Sequence, residues 1–164
     1  MSIFKKRKPK TIEEEFINAL RGGTLANALD FVAFARANGW TNDDEYRSNF
    51  YYMGKPTFVL LCFENEKYPD GEWGIYNYPT SEHDDFPLDE GMKEFLWANV
   101  RICTGECGCP NWPRGGDKMV YGKEYKSVCS STIMFQNPEA EALEKIKALM
   151  ERWKRIIEKD ISGE

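Results

Sequence analysis

The chain has 164 residues, of which 41% are hydrophobic and 30% are charged, and its formal net charge is −5. This length is typical of one domain that can bury a core of its own. The composition excludes collagen-like, low-complexity and wholly disordered chains. Five cysteines are too few, and odd in number, for a disulfide scaffold. Four of them lie within positions 103–129, and this uneven distribution is the main indication of function.

Charge is also unevenly distributed along the chain. Residues 1–10 carry five basic side chains and no acidic one, which predicts a basic disordered tail. An electrostatic tether to RNA or to an anionic membrane is the alternative role for such a tail. Residues 41–94, in contrast, carry thirteen acidic and four basic side chains. Because phosphate binding needs clustered Lys and Arg, this acidic middle argues against a nucleic-acid partner.

Export and membrane insertion both require apolar segments that this sequence lacks. No apolar stretch of about 7–15 residues follows the basic tail, as it would in a secretory signal. No apolar run approaches the roughly 20 residues that span a bilayer. We therefore expect a cytoplasmic protein with no membrane partner. In that reducing compartment the cysteines should be thiols, thiolates or metal ligands.

Two helices are predicted at the start of the folded region. Thr11 and Glu14 form a capping-box pattern for the first helix, which we expect to be peripheral. The pair Gly22–Gly23 is expected to end this helix, and Thr24 to cap the second one. The apolar residues then keep a helical period as far as Asn38–Gly39.

A change of period indicates strands in the next part of the chain. Strands are predicted at residues 46–53, 57–63 and 72–78, and the turns between them favour an antiparallel meander. Cys62 falls in the second of these strands and is expected to be a small core residue. An acidic loop at residues 79–87 follows.

A third helix is predicted to begin at Asp89 and to end near Cys103, because its apolar stripe extends that far. Residues 104–118 are rich in Gly and Pro and predict irregular structure. Short strands are then predicted at residues 119–121, 125–129 and 132–135.

The last predicted element is a long helix from Pro138 to about residue 159, with Asn137 as its N-cap. The order of elements predicts one α+β domain over residues 11–160, with an antiparallel sheet flanked by helices. This domain contains a Cys-rich loop at residues 103–129 and ends in the long C-terminal helix.

The clustered cysteines form a candidate metal site. Cys103, Cys107 and Cys109 follow the pattern C-x3-C-x-C, and Cys129 comes at the end of a predicted strand. Four thiolates that converge from two chain segments, one of them a Gly-containing turn, are typical of structural zinc sites. Zinc is therefore the expected metal, and iron is the alternative. Such a metal would also stabilise a loop that core packing alone orders poorly.

Other side chains carry weaker indications. His83 is the only histidine and is expected to be a solvated loop residue. Asp84, Asp85, Asp89 and Glu90 could pair as acid and base or bind a hard cation, but they lack the spacing of a calcium loop, so we interpret them as a solvated, helix-capping cluster. Sheet aromatics could line a site for a cationic or planar ligand, but core packing is the preferred interpretation. These aromatics are Tyr46, Phe50, Tyr51, Tyr52, Trp73, Tyr76 and Tyr78.

Several segments resemble a family of small uncharacterised bacterial proteins. They are Phe86–Glu94, Trp97–Val100 with Cys103, Tyr121–Cys129 and Phe135–Ala140. The resemblance covers roughly residues 25–157 and implies a recurring cysteine set at Cys103, Cys107, Cys109 and Cys129. The family's cluster more often has two-residue gaps, so Cys107, which is displaced by one position, is the weakest member of the set. The resemblance implies no particular activity.

Taken together, these patterns predict a cytoplasmic zinc-binding domain with a structural four-cysteine site. Its expected role is that of a binding or regulatory module for a small molecule or a protein. The alternative is a thiol-dependent redox enzyme or a metal sensor that uses Cys107 or Cys109.

Overall fold

A computed structural model describes residues 11–42, 48–63, 67–77, 87–104 and 115–163. Within these residues the chain forms four helices and seven strands. The helices are α1 (Ile12–Ala19), α2 (Gly22–Ala37), α3 (Glu90–Trp97) and α4 (Ala140–Ser162). The strands are β1 (Thr41–Asn42), β2 (Asn49–Tyr52), β3 (Lys55–Phe63), β4 (Glu72–Asn77), β5 (Val100–Ile102), β6 (Gly116–Val120) and β7 (Lys123–Gln136). The predicted tail at residues 1–10 and most of the predicted acidic loop lie outside the described residues.

The described strands form one antiparallel sheet, which confirms the predicted α+β class. The strand order is β1-β2-β3-β4-β7-β5, so the predicted meander makes up one end of the sheet. One edge of β7 pairs with β5, and its other edge pairs with both β4 and β6. The strands predicted at 125–129 and 132–135 are therefore one 14-residue strand. Only serines separate them, and no Gly or Pro interrupts the backbone there.

The core lies between the helices and one face of the sheet. Buried side chains from all four described helices form a single cluster with alternate strand residues such as Trp73 and Ile75. Helix α1 belongs to this core, because Ile12 and Phe16 are fully buried. The Phe16 ring meets the Trp73 ring edge-on, with 5.7 Å between the ring centres. The expectation of a peripheral first helix is therefore wrong.

Helix α4 supplies a long apolar face to this core. Its buried side chains are Leu143, Ile146, Leu149, Met150, Trp153 and Ile157. They recur every three or four residues and so share one side of the helix, while charged residues occupy the other. The helix ends at Ser162, three residues beyond the predicted end. Among the described residues, no helix has the length and apolar character that crossing a membrane requires.

The junction of α1 and α2 differs from the prediction. Helix α2 begins at Gly22, so Gly22–Gly23 lies in its first turn and Thr24 is not its cap. The turn before β4 docks here, since the Arg21 N–H donates to the carbonyl of Asp70 at 2.9 Å. Gly71 has a φ of +83°, and a Cβ at this position would lie 2.5 Å from the carbonyl oxygen of Ala19. Gly22 has a φ of +53°, so a left-handed glycine and the close contact at Gly71 both lie at the junction of the two helices.

The third helix is shorter than its apolar stripe predicts, and Cys103 is not part of it. Helix α3 ends at Trp97, where the Asn99 side chain donates to the carbonyl of Phe95 at 2.8 Å. The following residues form β5, because β7 offers an edge on which Val100 pairs with Ile133. Val100 fits the apolar face of a predicted helix, and its β-branched side chain also suits a strand. The local pattern therefore does not distinguish helix from strand at this position.

Asn137 ties α4 to the sheet instead of capping the helix. Its N–H donates to the carbonyl of Trp73, and its Oδ1 accepts from the Trp73 N–H, both at 2.9 Å. Asn137 has a φ of +41°, a left-handed conformation that Asn tolerates better than most residues. The N-cap position of α4 is Glu139, two residues later. The predicted N-cap is thus wrong, because hydrogen bonds with Trp73 occupy both the backbone N–H and the side-chain oxygen of Asn137.

Replacing Asn137 with Ala should lower the free energy of unfolding by about 1–3 kcal/mol, because the Trp73 N–H loses its acceptor. Asn137→Asp is the matched control, since it keeps the acceptor oxygen and tolerates a positive φ. Urea denaturation of both variants measures the difference. Equal losses in the two variants would show that the side-chain oxygen does not carry this stabilisation.

Candidate functional site

Two of the four predicted metal ligands lie on neighbouring strands. Cys103 follows directly after β5 and is partly buried, whereas Cys129 is within β7 and is buried. The other two, Cys107 and Cys109, lie outside the described residues. Cys62 is separate from the set: it pairs with Trp73 in the β3–β4 ladder and packs against the core, partly buried rather than fully buried.

Strand register brings Cys103 and Cys129 close together. Ile102 pairs with Val128, and the N–H of Cys103 donates to the carbonyl of Ser127 at 2.7 Å. Cys103 thus lies opposite Ser127, and Cys129 is its diagonal neighbour, two positions farther along β7. Diagonal neighbours on antiparallel strands have Cα atoms about 7–8 Å apart. Because zinc–sulfur bonds are about 2.3 Å long, two thiolates at this spacing fit one metal ion.

Both ends of the segment that contains Cys107 and Cys109 contact the same part of β7. Its first end leaves β5 at Cys103, on one edge of the strand. Its second end returns at Gly115–Gly116 on the opposite edge, where Gly116 pairs with Val128. Adjacent strands are about 4.8 Å apart, so the two ends lie on the order of 10 Å from each other. Cys129 lies between them.

The return to β7 requires a glycine. Gly115 has a φ of +30°, and a Cβ on it would lie 2.5 Å from both the carbonyl carbon and the oxygen of Ser127. Ser127 itself has a φ of +54°, where the β6–β7 register shifts. Asp117 stabilises this bulge: its carboxylate accepts from the Ser127 N–H at 3.3 Å and from Lys126 Nζ at 2.8 Å. These hydrogen bonds, that of Lys126 first, hold the pKa of Asp117 below its ordinary value.

Two cationic side chains flank Cys129. Lys118 Nζ donates to the carbonyl of Cys129 at 3.2 Å and to Thr132 Oγ1 at 2.9 Å. Arg101 lies in β5 between Val100 and Ile102, where the register of β5 on β7 shifts. The Arg101 guanidinium carbon lies 5.7 Å from the centre of the Tyr76 ring. Both cations are partly buried.

The pKa of Tyr76 reports the surroundings of this site. Burial raises the pKa of its hydroxyl most, Arg101 opposes the rise, and the neighbouring Glu72 and Cys129 raise the pKa further. Tyr76 therefore lies near both Arg101 and Cys129. It points away from the main core, because it alternates with Trp73 and Ile75 along β4 and is absent from their cluster. Tyr76 thus lies on the sheet face opposite the helices.

A second feature is a groove of about 390 Å³ between α3, the end of β7 and the start of α4. Its apolar floor consists of Phe95 and Phe135, whose rings stack 5.3 Å apart. Lys145 Nζ lies 5.6 Å from the Phe95 ring and 3.1 Å from a carboxylate oxygen of Glu141. This volume is within the range of about 300–1,000 Å³ that is usual for small-molecule sites.

The remaining candidates do not assemble into a site among the described residues. Asp89 caps α3, accepting from the Met92 N–H at 2.8 Å, while His83, Asp84 and Asp85 lie outside those residues. The predicted aromatic set is divided. Phe50, Tyr52 and Trp73 belong to the core, Tyr51 is partly buried, Tyr76 faces the other way, and Tyr46 and Tyr78 are outside the described residues. No group of three or more His, Cys, Asp or Glu able to hold a metal occurs within the described ranges, which include two of the four cysteines.

The sequence patterns did not single out Arg101 or Lys118. Arg101 lies in the predicted third helix and Lys118 at the end of the predicted irregular segment, so neither had an assigned partner. Their one local signal is nearness to the cysteines, since Arg101 precedes Cys103 by two residues. The contact of Lys118 with Cys129 depends on the β6–β7 pairing and has no local signature.

Gly115→Ala should destabilise the protein by about 1–3 kcal/mol more than Gly122→Ala, because only the first variant drives a Cβ into the Ser127 carbonyl. Gly122 is the matched control: its φ is +83°, and no atom lies within 4 Å of an added Cβ. The free energy of unfolding of the control should fall only by the cost of placing alanine in the left-handed conformation, about 1–2 kcal/mol. Urea denaturation of both variants compares them, and equal losses would contradict the close approach at Gly115.

Comparison with known proteins leaves the family of this chain open. No protein-family model matches it, and no curated protein and no solved structure matches it either. The candidate sites of this chain are the surroundings of Cys129 and the groove beside α4.

Proposed function

We propose that this protein is a cytoplasmic zinc-binding domain whose four-cysteine site fastens the Cys-rich segment to β7. Cys103, Cys107, Cys109 and Cys129 would be the ligands. The observation that carries the proposal is the register of β5 and β7, which makes Cys103 and Cys129 diagonal neighbours. The anchoring of both segment ends beside Cys129 supports it, because the two remaining cysteines belong to that segment.

Chain length is compatible with four ligands from these positions. Cys107 is four residues beyond Cys103, and Cys109 is six residues before Gly115. An extended chain covers up to about 3.3–3.6 Å per residue, so both stretches exceed the roughly 10 Å between the segment ends. Zinc suits four thiolates in a tetrahedral, closed site, and iron is the alternative occupant.

The role proposed for the domain is that of a binding or regulatory module. The groove beside α4 supports a small molecule as the ligand, since the partly exposed Phe95 lines it together with the charged Glu139, Glu141 and Lys145. A four-thiolate zinc site leaves no open coordination position, so its contribution would be structural. Binding at the groove and metal binding at Cys129 would then be separate properties.

Cys129→Ser should abolish zinc binding, because it removes a ligand from β7 itself. The protein purified under reducing conditions should contain about one zinc per chain by elemental analysis, and the variant should contain none. Cys62→Ser is the matched control: it changes another strand cysteine that pairs with Trp73 and lies outside the set, and it should keep the metal. A strong chelator should lower the melting temperature of the wild type and of Cys62→Ser, but not that of Cys129→Ser.

Wild-type protein without metal under these conditions would overturn the zinc proposal. A rapidly alkylated thiol at Cys107 or Cys109 in that metal-free protein would favour a redox enzyme or a metal sensor instead, since reactive thiols are accessible thiolates. The burial of Cys129 speaks for a ligand rather than for a reactive thiol at that position.

A further inference from the structure

The groove beside α4 has a volume of about 390 Å³ and is lined by charges of both signs. Among the described residues that line it, Glu139 and Glu141 are acidic and Lys145 is basic, so their formal charges sum to −1. Acidic residues in the first turn of a helix also stabilise that helix through its dipole, so the two carboxylates alone do not define a site. The contacts of Lys145 are more specific.

Lys145 places an ammonium group beside the aromatic wall of the groove. Its Nζ lies 5.6 Å from the centre of the Phe95 ring and 3.1 Å from a carboxylate oxygen of Glu141. A cation within about 6 Å of a ring centre is attracted by the negative face of the ring, and a neighbouring carboxylate adds a charge-assisted hydrogen bond. The chain itself thus supplies a primary ammonium group to this place.

Another cation can replace Lys145 there at little cost. The Lys145 side chain is 48% exposed, and both a cation–π contact and an ion pair contribute little at exposed positions. Helix α4 packs on the core through other residues, from Leu143 to Ile157. The long Lys145 side chain can therefore turn into solvent without disturbing the helix.

A further polar group of the groove favours a ligand that donates hydrogen bonds. Asn99 is partly buried and lines the groove, and its Nδ2 donates to the carbonyl of Phe95 at 2.8 Å. Its Oδ1, an acceptor, is the part of the amide left for a ligand. The carboxylates of Glu139 and Glu141 are acceptors as well. An ammonium group has three donors and no acceptor, so it suits this set.

We propose that the groove binds a small primary amine with an apolar body, whose ammonium group replaces that of Lys145; this inference rests on the proposed role of the groove as a small-molecule site. The ammonium group lies over Phe95 and beside Glu141, where Lys145 Nζ lies in the structure. Lys145 is then an internal competitor for the site. The volume is near the lower end of the range of about 300–1,000 Å³ for ligand sites, which favours one small molecule.

Calorimetric titration with phenethylamine, a primary amine that is protonated at pH 7, tests the inference. The wild type should bind it saturably and more tightly than the neutral 2-phenylethanol or the anionic phenylacetate. Lys145→Gln should bind phenethylamine about three- to tenfold more tightly, because removal of a competitor raises the fraction of protein that is competent to bind. Lys145→Arg keeps a competing cation and should resemble the wild type. The matched control is Lys93→Gln, which changes a lysine of α3 that pairs with Glu90, and it should leave the affinity unchanged.

Glu141→Gln should weaken the binding of phenethylamine about two- to fivefold, the effect of one exposed charge pair. Glu144→Gln is its matched control, because Glu144 is on the same helix, pairs with Lys147 and does not line the groove. The substituted side chains are all charged surface groups, so the variants should keep the melting temperature of the wild type to within a few degrees. The comparison of the three compounds on the wild type needs no variant.

The outcomes separate this inference from the proposed function. If none of the three compounds binds saturably, both the inference and the role of the groove as a small-molecule site are wrong. If phenylacetate binds more tightly than phenethylamine and Lys145→Gln loses that binding, the groove takes an anion and the inference alone is wrong. Equal affinity for phenethylamine and 2-phenylethanol, or an unchanged affinity for phenethylamine in Lys145→Gln, also overturns the inference alone. Zinc content tests the metal site independently of these measurements.

Discussion

Backbone hydrogen bonds along both edges of β7 join the two halves of the sheet. At the C-terminal end of this strand, β4 connects it to the meander. At its N-terminal end, β5 and β6 pair with opposite edges, and both contact Val128. Backbone N–H and C=O groups must be paired when they are buried, so a break in β7 would leave several of them without partners. The position of every cysteine described near the site follows from this one strand.

Local distortions of β7 then shape the site. The left-handed conformation of Ser127 is unfavourable for a residue other than glycine by about 1–2 kcal/mol. The hydrogen bond that the Ser127 N–H donates to the Asp117 carboxylate helps to offset this cost. Next to the residues of β7 that pair with β6, Lys118 Nζ donates to the Cys129 carbonyl. This hydrogen bond also brings a positive charge near the cysteine.

The two faces of the sheet have different chemistry. One face carries the apolar residues that pack against all four described helices and stabilise the fold. The opposite face carries Tyr76, which is buried without belonging to that core, and the partly buried Arg101 lies over its ring. Stability and the candidate site are thus separated by the alternation of side chains along each strand. A substitution at the site can therefore alter metal binding while leaving the main core intact.

The sequence by itself determined the class of the fold, the meander, the amphipathic α4 and the candidate cysteine set, because periodicity and spacing are local properties. Three features depended on tertiary structure: the start of α2, the end of α3 and the role of Asn137. In each, contact with a distant segment such as Asp70, Ile133 or Trp73 outweighed a local preference. The same reason applies to the site. Pairing of β5 with β7 brings Cys103 near Cys129, and pairing of β6 with β7 brings Lys118 to the Cys129 carbonyl. No local pattern encodes such pairing.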